Sequence, residues 1–252
     1  MLSLAQDLVI LIVTLAASLL FMVLLNRLWA QEKRSVNNDL IGWQLTIVGT
    51  TYAVILGFML YTVWTAYGEA QINVDLEANA LRDLYRSADG LPEPQRTQLK
   101  HEARAYAAAV IDHDWPQMAE GKVPEGSHLI DEAMWKTAMT IKPESPTEVI
   151  YTDQLLNHLT TLTQHRRTRM LQAVYSLPTI FWAVLIVGGL VTVLSAATFG
   201  ARNTALHAFQ VLSFTLLVTL VLLAISDVNL PFQGWVHIDN YAFIRARTYM
   251  TD

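Results

Sequence analysis

The chain has 252 residues, of which 53% are apolar and only 15% charged, a balance too apolar for an ordinary soluble domain and suited to several membrane crossings. It contains no cysteine, which excludes disulfide, haem-thiolate, iron–sulfur and thiol chemistry. A net charge of -5 without long basic runs argues against a nucleic-acid partner.

The first apolar run, Leu8 to Leu25, is long enough to cross a bilayer. Asp7 precedes it without any Lys or Arg, and Leu28-Trp29-Ala30 is a poor cleavage site, so it reads as a retained span rather than a signal peptide. Arg27, Lys33 and Arg34 lie in the connection that follows, and Trp29 and Trp43 suit an interfacial belt.

Leu40 to Gly68 carries no charge and reads as the second span. No helix breaker follows it. Val74, Ala78, Leu81, Tyr85 and Ala88 continue at spacings of three and four, so the helix is expected to run on as an amphipathic one until Gly90 and Pro92. Within the span, Thr46, Gly49, Thr50, Ala53 and Gly57 form a small, weakly polar stripe. Close helix packing and a pore-facing surface both explain it.

Residues 69–175 read as a helical soluble insert. Pro92 and Pro94 stand at the start of a helix over Gln95 to Asp112, which Trp115-Pro116 is expected to break. Gly121 to Ser127 reads as a loop and His128 to Thr140 as a short helix. Ser145-Pro146-Thr147-Glu148 carries the serine, proline and glutamate of a capping box. The helix it starts should run towards Tyr175, antiparallel to the helix leaving span two.

The third span, Leu177 to about Phe199, begins at Pro178 and offers Gly188, Thr192 and Ser195 as a packing face. The fourth runs from about Leu206 to Ile225 and closes at Asp227. Leu230 to Trp235 reads as a turn with aromatics at the interface, followed by Arg245 and Arg247. The fold expected is therefore all-α: a four-span helical membrane protein with a helical soluble insert between spans two and three. Its segments are 1–68, 69–175, 176–227 and 228–252. Positive charges near the spans do not decide orientation.

Leu56-Gly57-Phe58, followed by Glu69-Ala70, resembles the second transmembrane helix of bestrophin-type anion channels. The segments from Asn73 to Leu81, Asp83-Leu84-Tyr85-Arg86, Gly90 to Pro94, and Pro231-Phe232-Gln233-Gly234 are similar to a bestrophin-like group of bacterial membrane proteins. The resemblance implies an oligomeric anion (chloride) channel, a pentamer of identical chains in the bacterial inner membrane. It also implies that the insert and both termini are cytoplasmic. By the same resemblance, Thr50, Val54 and Phe58 line a hydrophobic neck of the pore. Tyr67-Gly68 stands where bestrophins have a tryptophan pair, and Thr50 is polar where the neck is usually apolar.

A ring of phenylalanines could gate by dewetting. Gly57, Glu69, Asn73 and Glu77 are candidates for the continuation of that pore or its vestibule. Carboxylates facing the lumen would favour cations, so an anion channel needs Glu69 and Glu77 turned away, paired or protonated. Arg82 and Arg86 could pair with nearby acids on the same helix. The other reading of these acids is a solvated helix face with salt bridges between subunits.

None of the seven histidines has a recognised metal-ligand spacing. His113 between Asp112 and Asp114 reads as a solvated loop, and His158 and His165 as polar-face residues. His207 lies at a membrane edge. No catalytic constellation is visible and no cofactor is expected. The spans hold no midspan charge, which argues against a proton-coupled transporter or voltage sensor. The partners expected are lipids, inorganic ions and further copies of the chain. The rival reading is a non-conducting membrane scaffold or sensor whose insert binds a partner.

Overall fold

A computed structural model describes residues 4–251, and all its regular elements are helical. Residues 1–3 and 252, at the ends of the first and last expected segments, lie outside the described residues. The chain divides into two compact units. One takes the residues up to Thr65 together with Ser176–Asn229. The other takes Ala66–Tyr175 together with the residues from Leu230 onward.

The first unit contains α1 (Leu4–Leu28), α2 (Gln31–Ser35), the N-terminal part of α3 (Asn38–Ser87), α8 (Thr179–Ala197) and α9 (Thr204–Val228). Among the described residues, α1, α3, α8 and α9 are long and apolar enough to cross a membrane, at about 1.5 Å of rise per residue. Between α1 and α9 the hydroxyls of Thr14 and Thr219 meet at 3.2 Å. Asn38 clamps the backbone of Gly200 in both directions at 2.9 Å. A Cβ at Gly200 would lie 2.4 Å from the backbone nitrogen of Ser35, so only glycine permits this approach. Asn203 caps α9 by accepting from the Leu206 amide. His207, in the first turn of α9, is buried, with Nε2 3.2 Å from the Ala196 carbonyl.

Helix α3 packs on α8 through Tyr52. Its hydroxyl donates to the Leu185 carbonyl at 2.8 Å. Its ring occupies the space that side chains at Gly188 and Gly189 would fill. Gly188 thus belongs to a packing face, as expected of small residues in lipid. The stripe at Gly49 and Gly57 differs, since a Cβ at either would meet nothing within 4 Å.

The second unit holds the C-terminal part of α3, a 3-10 turn (Ala88–Gly90), α4 (Gln95–Ala109), a π-helical turn (Val110–Asp114), α5 (Trp115–Ala119), α6 (Gly126–Ala138), α7 (Pro146–Val174) and α10 (Tyr241–Tyr249). Its core gathers Val74, Leu81 and Leu84 of α3, Leu99 and Tyr106 of α4, and Leu155, Leu159 and Leu162 of α7. Asn73 meets His165 while Gly90 meets Tyr151, so α3 and α7 run antiparallel. Ser145 caps α7 by accepting from the Glu148 amide at 3.2 Å. The Glu148 carboxylate reaches back to the Glu144 amide at 2.7 Å, one residue before the position a capping box uses.

Trp115-Pro116 does not break the chain's helical path. Proline lacks the N–H that an α-turn would use. The preceding π-turn changes the register, and α5 follows directly with Pro116 in its first turn. Nor is Phe232 interfacial: it is buried, edge-on to Trp115 with centroids 5.6 Å apart, in the core of the second unit. Trp235 is exposed.

Candidate pore-lining face and buried charge cluster

Over its apolar length α3 has two unlike halves. Tyr52, Leu56 and Val63 are buried. Trp43, Ile47, Thr50, Val54, Phe58 and Tyr61 are exposed and recur at spacings of three and four. Val54 is 53% and Phe58 65% exposed, and Gly57 lies on the same open half. Phe58 is therefore not covered by its own chain. Threonine is the one polar side chain among the three neck candidates, and it too faces outward.

Further along the helix the candidates part company. Glu69 is exposed, whereas Asn73 and Glu77 turn into the core of the second unit. The helix turns about 100° per residue, so steps of four advance about 40° each. Glu77, 27 residues after Thr50, has turned to the opposite side. Asn73 is fixed by His165, donating to its carbonyl at 3.0 Å and meeting Nδ1 at 2.7 Å. His165 is thus half-buried and held to α3 by these polar contacts.

Glu77 lies at the centre of a buried charge cluster. Arg169 of α7 forks onto it, Nε to Oε2 at 2.7 Å and Nη2 to Oε1 at 2.9 Å. Tyr106 of α4 donates to Oε1 at 2.7 Å. The same guanidinium reaches Asp114 Oδ2 at 3.2 Å. Asp114 also accepts from the amide and hydroxyl of Ser127, and Arg166 donates to the Ser127 hydroxyl at 2.9 Å. Trp115 and Phe243 flank the Arg169 guanidinium, each 5.7 Å from it.

Burial alone would lower the pKa of Arg169, but the charge of Glu77 and its hydrogen bonds outweigh that and hold the guanidinium charged. Burial, reinforced by the neighbouring Glu77, pushes the Tyr106 phenol well above its usual value. The tyrosine is thereby kept a donor. The cluster is paired throughout and ties α3, α4, α7 and the π-turn together.

Arg82 and Arg86 do not serve Glu77. Arg82 lies over the ring of Tyr249, and Arg86 approaches Asp83 at the surface. Asp112 and His113 are exposed while Asp114 is buried. Among the described residues no three acidic or histidine side chains converge as metal ligands. Sequence reasoning missed Tyr106, Asp114, Ser127 and Arg169 as a cluster. The signal lay in register: Arg166 and Arg169 continue the apolar spacing of Leu155, Leu159 and Leu162, and Glu77 sits in that of Val74, Leu81 and Leu84.

Comparison with known proteins bears on the whole chain. The model of the Bestrophin-like domain family matches residues 12–243. No curated protein matches the sequence. Solved structures of a bacterial bestrophin homologue from Klebsiella pneumoniae share the fold at low identity. One point-mutant form is similar at a TM-score of 0.74 and 13% identity, over 96% of each chain. Another gives 0.73 and 12%, over 98% of this chain and 100% of that one. The form phased with zinc gives 0.68 and 13%, over 96% and 97%.

Proposed function

This chain belongs to the bestrophin-like family, and on that premise we propose that it forms an ion channel, several copies placing the open half of α3 around a shared pore. The observation that carries the reading is the two-sided α3: Tyr52, Leu56 and Val63 bind it to its own unit, while Thr50, Val54 and Phe58 are left uncovered. An apolar half-helix inside a membrane-length segment is suited to meeting its own copies around a narrow, poorly wetted passage. Thr50, Val54 and Phe58 form the neck, with Phe58 as the widest side chain. Gly57 allows close approach beside it.

Anions are the conducted ions that the family resemblance implies. Of the two acids among the four continuation candidates, Glu77 is turned inward and neutralised by Arg169, whereas Glu69 is exposed and must be paired or protonated in the assembly for anions to pass. Five copies is the assembly order that the family resemblance implies, and the bacterial inner membrane the location.

Purified protein in liposomes, assayed for chloride flux, tests the proposal. Wild type should conduct, and Phe58→Ala should change the flux several-fold by widening the neck. A monomer or dimer by native mass measurement would overturn it, as would absence of flux from a well-folded oligomer.

A further inference from the structure

We propose that a groove in the first unit, walled by α1, α8 and α9, holds one acyl chain of a membrane phospholipid. The groove has a volume of about 600 Å³ and no charged residue lines it, a size in the range of ligand sites. Ala17, Phe21, Trp182, Leu190 and Leu223 give it an apolar wall.

Four of its hydroxyls are already used. Thr14 donates to the Leu11 carbonyl and meets Thr219. Ser18 donates to the Leu15 carbonyl, and Thr215 to that of Val211. A water molecule needs two to four polar partners, and this surface has few to spare. A polar ligand meets the same obstacle. An empty groove of this size would forfeit dispersion contacts along all its walls.

The three helices are of membrane-crossing length and composition, so the medium at this depth is hydrocarbon. An acyl chain is the apolar, flexible group that the medium supplies. A second copy of the chain is the less suitable occupant. The face left open for copies is the Thr50–Val54–Phe58 side of α3, opposite the Tyr52 side that packs on α8. Gly189 lines the groove and also lies against the Tyr52 hydroxyl, where a Cβ would be 2.9 Å away. A lodged chain therefore braces the same turn of α8 that holds α3. The site does not depend on whether the protein conducts.

The test uses the full chain extracted in mild detergent. Native mass measurement should find one phospholipid retained per chain after washing. Ala17→Phe and Leu223→Trp fill the groove from opposite walls, and each should lower the retained fraction about tenfold while the protein still elutes as a folded species. In liposomes of lipid brominated on the acyl chains, the fluorescence lost in Trp182→Phe should be the part quenched in wild type. This last measurement needs no groove variant to fold. Lipid retention unchanged in both groove variants would overturn the proposal. So would a free fatty acid as the retained molecule. Unquenched Trp182 emission in wild type, the result if a neighbouring copy fills the groove, would overturn it as well.

Discussion

Arg169 and Glu77 form a two-point ion pair in which neither side chain touches solvent. Taking two charges out of water is costly, and the fork geometry with Tyr106 and Asp114 is what offsets it. Removing one partner is therefore worse than never having had the pair. Arg169→Met leaves Glu77 and Asp114 buried without their cation, and should cost about 3–5 kcal/mol. Glu77→Gln should cost less, because Asp114 still pairs with the arginine. Chemical unfolding monitored by circular dichroism should rank them in that order. Equal small effects would mean that water reaches the cluster.

Asp131 offers a pH test of the same unit. Burial raises its pKa, against the hydrogen bond from Thr163 and the charges of Arg166, His128 and Arg167. A raised carboxyl pKa means that the folded state holds the proton more tightly than the unfolded one. Its relative stabilisation is full below the ordinary pKa of 3.8 and is lost as pH rises through the raised value. Wild type should therefore lose melting temperature relative to Asp131→Asn as pH rises from about 4 towards neutrality. Parallel melting curves across that range would show that the side chain is solvated.

Two glycines should respond differently to alanine. At Gly90 the new Cβ would lie 2.0 Å from Tyr151 Cγ, an overpacking worth about 1–3 kcal/mol. Tyr151→Ala removes the obstacle, so the double variant should recover part of the loss. At Gly200 the obstacles are the backbone of Ser35 and Gln31. No side-chain truncation can relieve that clash. Thermal melts of the single and double variants distinguish the two cases, and equal tolerance at both sites would contradict the packing.

How much of this was legible beforehand follows from the range of each interaction. The α7 start was readable because Ser145, Pro146 and Glu148 act within one turn. The four spans were readable from composition, and their membership of an all-α fold with them. The charge cluster was not, because Glu77 and Arg169 are 92 residues apart and nothing local names the partner. Their register on apolar stripes was the available clue. The π-turn escaped because proline after tryptophan usually signals a stop, and only the tertiary demand for Asp114 at Ser127 shows why the helix continues. Phe232 and α10 escaped for a similar reason: short segments carry weak periodicity, and their burial against Trp115 is set by distant chain.

The pore face can be tested in the native background because the chain has no cysteine, so each introduced thiol is unique. A charged methanethiosulfonate reacts with a thiolate in water and cannot reach one in hydrocarbon. Thr50→Cys and Val54→Cys lie on the open half of α3. If copies enclose a hydrated passage there, both should be modified, and flux should fall several-fold as the charged adduct enters the neck. Leu56→Cys, from the buried half, should not react. Leu20→Cys on α1 separates the remaining alternatives. It is as exposed as Val54 in the single chain but has no reason to face water, so it should also stay unmodified. Identical inertness of residues 20, 50 and 54 in protein that is carrying flux would assign the open half of α3 to lipid, and the proposed neck would fail with it.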